Sequence, residues 1–219
     1  MRRGTFRDDD QTVDYAAVGA TQAQDLMQYP PEKSTPAEES WRLGSGEDRF
    51  RSASDALLSW TAQKASGLSV SDVRPASGPA YLGVSFDDQG NPITPSRHEV
   101  EQRFDEDGTP FVGPGMSVRL NGRVAGFRAD AELRVIFVIE EKRRVGFALG
   151  TVSDSVVSGE ESFMIEWGQN DEVWFTVRAF DAPSAYLYKV IPALIRRRRK
   201  ALFTGYLRAI SPLYTTPQG

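Results

Sequence analysis

Between Met116 and Phe180 the chain passes five times through a strand-length apolar run, and the links between runs are short, polar or glycine-bearing. Met116 to Leu120, Leu133 to Glu140, Val145 to Val152, Glu161 to Trp167 and Val173 to Phe180 are rich in Val, Ile, Phe and Trp. Such links join antiparallel neighbours, because a parallel pair needs a long crossover. After Pro183 the period becomes helical: Leu187, Ile191, Leu194, Leu202, Tyr206 and Ile210 lie near one face of a long helix that ends before Pro212. Upstream, Leu43-Gly44-Ser45-Gly46 reads as a turn into a helix, with Ser45 as N-cap and Glu47 and Asp48 complementing the dipole. Phe50, Ala53, Leu57 and Trp60 give that helix an apolar face, Gly67 ends it, and a strand follows from Leu68 to Val73. The expected class is α+β. A curved antiparallel sheet wrapped around a long C-terminal helix satisfies every apolar face.

At 219 residues the chain is long enough for a sizeable core. Residues 1–40 are expected to be loosely ordered, since Asp8-Asp9-Asp10 and the stretch from Tyr29 to Pro36 spend positions on charge and proline. Within them, Tyr15 to Met27 holds scattered apolar residues for a short helix or a clamp onto the domain. A single domain is expected over 41–212, with an irregular insert over about 78–112, a possible hairpin near Tyr81 to Phe86, and a tail over 213–219.

The absence of cysteine removes disulfides, thiolate nucleophiles and zinc–thiolate sites. No apolar run approaches the ~20 residues of a membrane span, and no apolar stretch follows Arg2 and Arg3 as in a secretory signal. A cytoplasmic protein is the expectation. His98 is the single histidine and sits in the polar insert, which nearly excludes a Ser–His triad or a histidine metal site. No metal and no cofactor are expected. Asp105-Glu106-Asp107-Gly108 lacks the alternating ligands of a calcium loop and reads as a turn.

Residues 146 to 183 resemble the signature region of the UPF 0548 family, a domain of unknown function. Gly146, Phe147, Gly150, Thr151, Gly159, Glu160, Glu161 and Phe163 match it, followed by Val173, Trp174, Phe175, Phe180 and Pro183. Tyr15, Val18 and Gly19, then Gly44, Gly46, Leu57, Leu58 and Trp60, and finally Tyr206, Leu207, Ala209 and Ile210 extend the likeness over most of the chain except roughly 78–112. The chain departs from the pattern at Leu149, where the family has tyrosine, and at Asp154 and Ser155, where it has glycine and histidine. Asp181 and Ala182 stand for a Ser-Arg pair. The resemblance implies a divergent member and no known reaction. By element order the layout is similar to the helix-grip (START-like, Bet v 1-like) architecture, whose sheet and helix enclose a cavity.

Three functions follow as expectations. The first is a non-catalytic binding domain, holding a small apolar or amphipathic molecule between sheet and C-terminal helix. Trp60, Phe137, Phe147, Leu149, Phe163, Phe175 and Leu187 would form the wall, with Thr151 and Glu161 at the polar end. Alternation puts Val135, Phe137 and Ile139 on one side of their strand. The same residues also suit a filled core. The second is an enzyme of the same fold. Glu160 and Glu161 are adjacent on a strand and so point to opposite faces; whichever enters an apolar pocket gains a raised pKa and can act as general acid or base. The third uses the basic run Arg196, Arg197, Arg198, Arg199 and Lys200 to dock an acidic partner. Residues 184–219 carry these cations with Lys189 and Arg208 and no Asp or Glu, although the whole chain is at −4. Five consecutive helical residues cover the full circumference, so some of these stems must lie against the sheet or pair with acids. Phe203 and Tyr206 are spaced for helix packing and give no strong nucleic-acid signal.

Overall fold

The computed structural model describes residues 13–75, 85–86, 92–93, 103–124, 126–152, 157–183 and 192–212. In chain order the strands are β1 (Thr35–Ser45), β2 (Leu68–Arg74), β3 (Ser85–Phe86), β4 (Pro92–Ile93), β5 (Ser117–Val124), β6 (Phe127–Glu141), β7 (Arg144–Thr151), β8 (Val157–Trp167) and β9 (Glu172–Pro183). The α-helices are α1 (Glu47–Leu58), α2 (Thr61–Ala65) and α3 (Pro192–Ile210). Among the described residues, seven strands form one antiparallel sheet in the order β1-β9-β8-β7-β6-β5-β2, and β3 pairs with β4 apart from it. Strands β5 to β9 are a meander. β1 and β2 close its two sides, and the α1–α2 segment crosses the inner face between them. α3 packs on α2 across the same face and touches β1, β5 and β9. The fold is therefore the curved sheet gripping a terminal helix that the apolar periods predict. No helix among the described residues is long and apolar enough to cross a membrane.

Local detail departs from expectation at three points, each for a physical reason. Order starts before Trp41: the polar stretch from Thr35 becomes strand because β9 offers it a ladder from Thr35 opposite Asp181 to Ser45 opposite Glu172, broken only by a register shift at Leu43. Gly46, at φ 90°, stands at the N-cap of α1 where Ser45 is expected, with no side-chain cap. The expected single helix through Trp60 breaks into two, since Trp60 itself adopts a left-handed conformation (φ 65°). That corner lets its fully buried indole donate from Nε1 to the Pro110 carbonyl at 2.9 Å. The expected hairpin near Tyr81 falls largely outside the described residues, as do the insert's His98, the apolar positions Leu187 and Ile191, and the side chain of Leu194.

The core lies between the inner face and the helices. Trp60, Phe147, Phe163 and Tyr206 form a chain of ring contacts with centroids 5.5, 5.1 and 5.1 Å apart. Phe175, Val177, Ile165 and Leu57 close around them with no solvent exposure. At its far end α3 is held by Arg49, whose guanidinium donates to the Ile210 carbonyl. This part of the interior is filled.

Candidate functional site

Strand alternation sends the side chains of Glu160 and Glu161 to opposite faces, and the two meet opposite fates. Glu160 points outward yet is 2% exposed, because residues 13–29 run as a strap across the outer face. Its carboxylate accepts from Tyr15 Oη at 2.9 Å, Gly19 N at 2.7 Å, Thr21 N at 3.1 Å and Thr21 Oγ1 at 2.5 Å. Gly19 reaches it by turning its backbone to φ 81°. Burial, then the neighbouring Glu160 carboxyl, holds the Tyr15 phenol well above its ordinary range. Beside this latch, Tyr15 packs edge-on to Phe180 at 5.6 Å. Val13 bridges to Val152, and Asp14 accepts from Thr151 Oγ1 at 2.5 Å and Ser158 Oγ at 2.8 Å. Gly150 is where the strap crosses: a Cβ there would stand 2.2 Å from Tyr15 Oη. Glu160 is thus a satisfied structural carboxylate.

Glu161 points inward, opposite Leu149 on β7 and Ala179 on β9. It lines a cleft of about 250 Å³ between the ends of β6 to β9 and the middle of α3. Leu133, Leu149, Val157, Ala179 and Leu202 supply its apolar surface, and Arg128, Asp130, Asp181, Arg198 and Arg199 its charges. Arg199, Leu202 and Tyr206 fall at helical steps of three and four, which brings all three to the sheet side of α3. Arg199 forms an ion pair with Asp181 and donates to the Thr35 carbonyl at 3.1 Å. Asp130 is held by Arg119 at 2.8 Å. Tyr206 hydrogen-bonds the Glu161 carboxyl. Burial pushes Glu161 up from 4.5 to about 7, against the opposing pull of Arg199, Tyr206 and Arg198.

A carboxyl raised in the folded state binds its proton more tightly there than in the unfolded chain. Its contribution to stability is then complete below about 4.5, falls as the pH rises, and is lost above about 7. Glu161→Gln should remove that slope. Unfolding free energies of variant and native protein from urea titrations are expected to agree near about pH 4 and to separate by up to about 3 kcal/mol near about pH 8, the variant being the more stable. A separation unchanged by pH would mean that Glu161 does not titrate in this window.

Of the nine expected ligand contacts, Leu149, Thr151 and Glu161 line the cleft. Trp60, Phe147, Phe163 and Phe175 lie in the filled core instead. Leu187 falls outside the described residues. Phe137 is on the outer face, beside Ser162, Met164 and Arg178. The cause is a bulge in β6: Val135 opposes Leu149, Phe137 opposes Ala148, and Val138 opposes Phe147. The extra residue, Ile136, reverses the alternation, so Val138 takes the inner position expected for Phe137. The basic run is divided as its circumference requires. Arg198 and Arg199 turn into the cleft and Arg197 and Lys200 are exposed, while the side chain of Arg196 lies outside the description. Arg198 and Asp181 are cleft residues that the apolar patterns do not mark. The one available signal is that five adjacent cations cannot all face water. Among the described residues, no group of three or more His, Asp or Glu could hold a metal ion.

Comparison with known proteins gives a consistent family. The model of the family described as "Domain of unknown function (DUF1990)" matches residues 14–86 and 97–209. A UPF0548 protein of Arabidopsis thaliana is 30% identical over 74 residues, which is 31% of this chain and 36% of that protein. A UPF0548 protein of Deinococcus radiodurans is 38% identical over 47 residues, 22% of this chain and 24% of its own length. The chain thus matches about a third and a quarter of the length of these two relatives. Among solved structures, a major latex-like protein of Panax ginseng aligns over 84% of this chain and 99% of its own, at 10% identity and a TM-score of 0.47. The hypothetical protein jhp0584 of Helicobacter pylori aligns over 94% and 97%, at 8% identity and a TM-score of 0.46.

Proposed function

The chain belongs to the DUF1990 family, and from that premise we propose that it is a non-catalytic binding protein for a small amphipathic molecule, held between β6–β9 and α3. The observation that carries this reading is the contrast within one interior. The aromatic core is filled, while its end beneath the middle of α3 opens into about 250 Å³ with an apolar floor and a charged mouth. An apolar surface left unfilled in an otherwise close-packed core is the place where a ligand recovers the missing contacts.

Native mass spectrometry on protein purified from cells tests it. The expected result is a reproducible excess over the denatured mass. Leu149 is 2% exposed and lines the cleft, so Leu149→Trp should fill the space and abolish the excess or reduce it at least about tenfold, the scale of about 1.4 kcal/mol. An excess mass that survives the substitution would place the ligand elsewhere, and the native mass alone in every preparation would count against a constitutive ligand.

A second reading has its own observation. Glu161, pushed up to about 7 within a cleft, is poised to give or take a proton near neutral pH. In that case a bound substrate would be turned over with Glu161 as general acid or base, and a Glu161→Gln variant with intact turnover would exclude it. Docking of an acidic partner at the basic run is the weaker reading, since Arg199 is committed to Asp181.

A further inference from the structure

We infer that the polar end of the cleft ligand is a carboxylate, held by the guanidinium of Arg198 beside Glu161. The inference rests on the cleft-binding reading and adds the chemical class of what binds. It follows from which charges in the cleft are already committed. Arg199 is committed to Asp181 and to the backbone carbonyls of Thr35 and Pro36. Asp130 is committed to Arg119 at 2.8 Å, with Arg128 at 3.8 Å. Arg198 is different. Its Nε is buried and has no hydrogen-bond partner among the described residues. Arg198 lines the cleft and forms no ion pair among the described residues, and the planar fork of an uncommitted guanidinium suits a flat two-oxygen acceptor.

The surrounding groups single out Arg198. Seen from Glu161, α3 presents Arg198, Arg199 and Tyr206, β9 presents Asp181, and β6 presents Arg128 and Asp130; β7 contributes only the uncharged Thr151. Asp181 is taken by Arg199 and Asp130 is shared by Arg119 and Arg128, so Arg198 is the cleft cation without a carboxylate partner when Glu161 is protonated. The protonated Glu161 carboxyl can also donate to the ligand, whereas its ionised form repels it. The apolar lining and a volume just under the ~300–1,000 Å³ of common ligand pockets call for a short tail or a single ring.

The test is isothermal titration of the intact protein with two matched pairs, octanoate against octanamide and 3-phenylpropionate against 3-phenylpropanamide. Each amide keeps the shape of its acid and loses the charge. At about pH 6 at least one acid is expected to bind about tenfold or more tightly than its amide. Acid affinity should fall as the pH is raised through about 7, and amide affinity should not change. Arg198→Met, which keeps an apolar stem, should bring the acid down to the level of the amide and leave the amide as it was. Equal binding of acid and amide in the native protein overturns the headgroup assignment and leaves the cleft reading standing. No binding by any of the four compounds, together with an excess mass that survives Leu149→Trp, overturns both. The acid–amide comparison needs no variant, so a folding defect in Arg198→Met would not spare the assignment.

Discussion

Phe147→Ala is expected to cost the fold about 3–5 kcal/mol, read as a lowered urea midpoint, and to lower the thermal midpoint by roughly 6–20 °C. Phe147 is the centre of the ring chain, touching Trp60 on one side and Phe163 on the other, and none of the three has solvent exposure. No neighbour can collapse into the space without leaving its own rotamer, so the loss includes the cavity as well as the ring. Phe137→Ala is the informative control. It lies ten residues earlier on the neighbouring strand, on the outer face, and should cost about 1 kcal/mol or less. Similar costs for the two would contradict the assignment of Phe137 and Phe147 to opposite faces, and with it the effect of the bulge at Ile136.

Glu160→Ala should be nearly as damaging, at about 3 kcal/mol, although it removes no apolar contact. The loss comes from the donors left behind: the amides of Gly19 and Thr21, the Thr21 hydroxyl and the Tyr15 phenol all point at one carboxylate. The damage should be local. Hydrogen exchange at the Gly19 and Thr21 amides is expected to rise toward that of an open segment, while β7 and β9 keep their protection. Retained protection at both amides would show that the strap is held by something other than Glu160. Tyr15→Phe removes one donor and keeps the ring against Phe180, so it should cost only about 1 kcal/mol.

The sheet and the gripping helix were legible because both rest on periods of apolar residues, which survive any detail of packing. The face of Phe137 was not legible, because one residue inserted at Ile136 changes the phase and leaves the composition untouched. Nor was the early start of β1: Thr35 to Ser40 has little strand character of its own and is ordered by the open edge of β9. At the site, alternation was enough to part Glu160 from Glu161. The binding reading put Glu161 inward, but the burial of Glu160 beneath the strap was not legible, because two of its four donors are backbone amides, of Gly19 and Thr21, that carry no side-chain signal. The resembling motif takes on physical meaning here. Gly150, Glu160 and Phe180 serve the strap side, Glu161 serves the cleft side, and Thr151 lines the cleft while its hydroxyl donates to Asp14 of the strap. The cleft's charged mouth was half visible. Five adjacent cations had to include inward ones, yet only the pairing of Arg199 with Asp181 shows that Arg198 is the one left over.

Two like residues in tandem make β8 ambiguous to its own neighbours. If the strand slid by one position, Glu161 would meet the strap's amides and Glu160 would enter the cleft, and neither environment would sense the exchange by charge. Gly159 acts as the registration mark. A Cβ at its position would stand 2.1 Å from the Phe180 carbonyl oxygen, so neither Ser158 nor Glu160 can occupy that place. Phe163, sent outward by the same slip, would add its own penalty. The missing Cβ at Gly159 thus helps to decide which glutamate is buried beneath the strap and which lines the cleft.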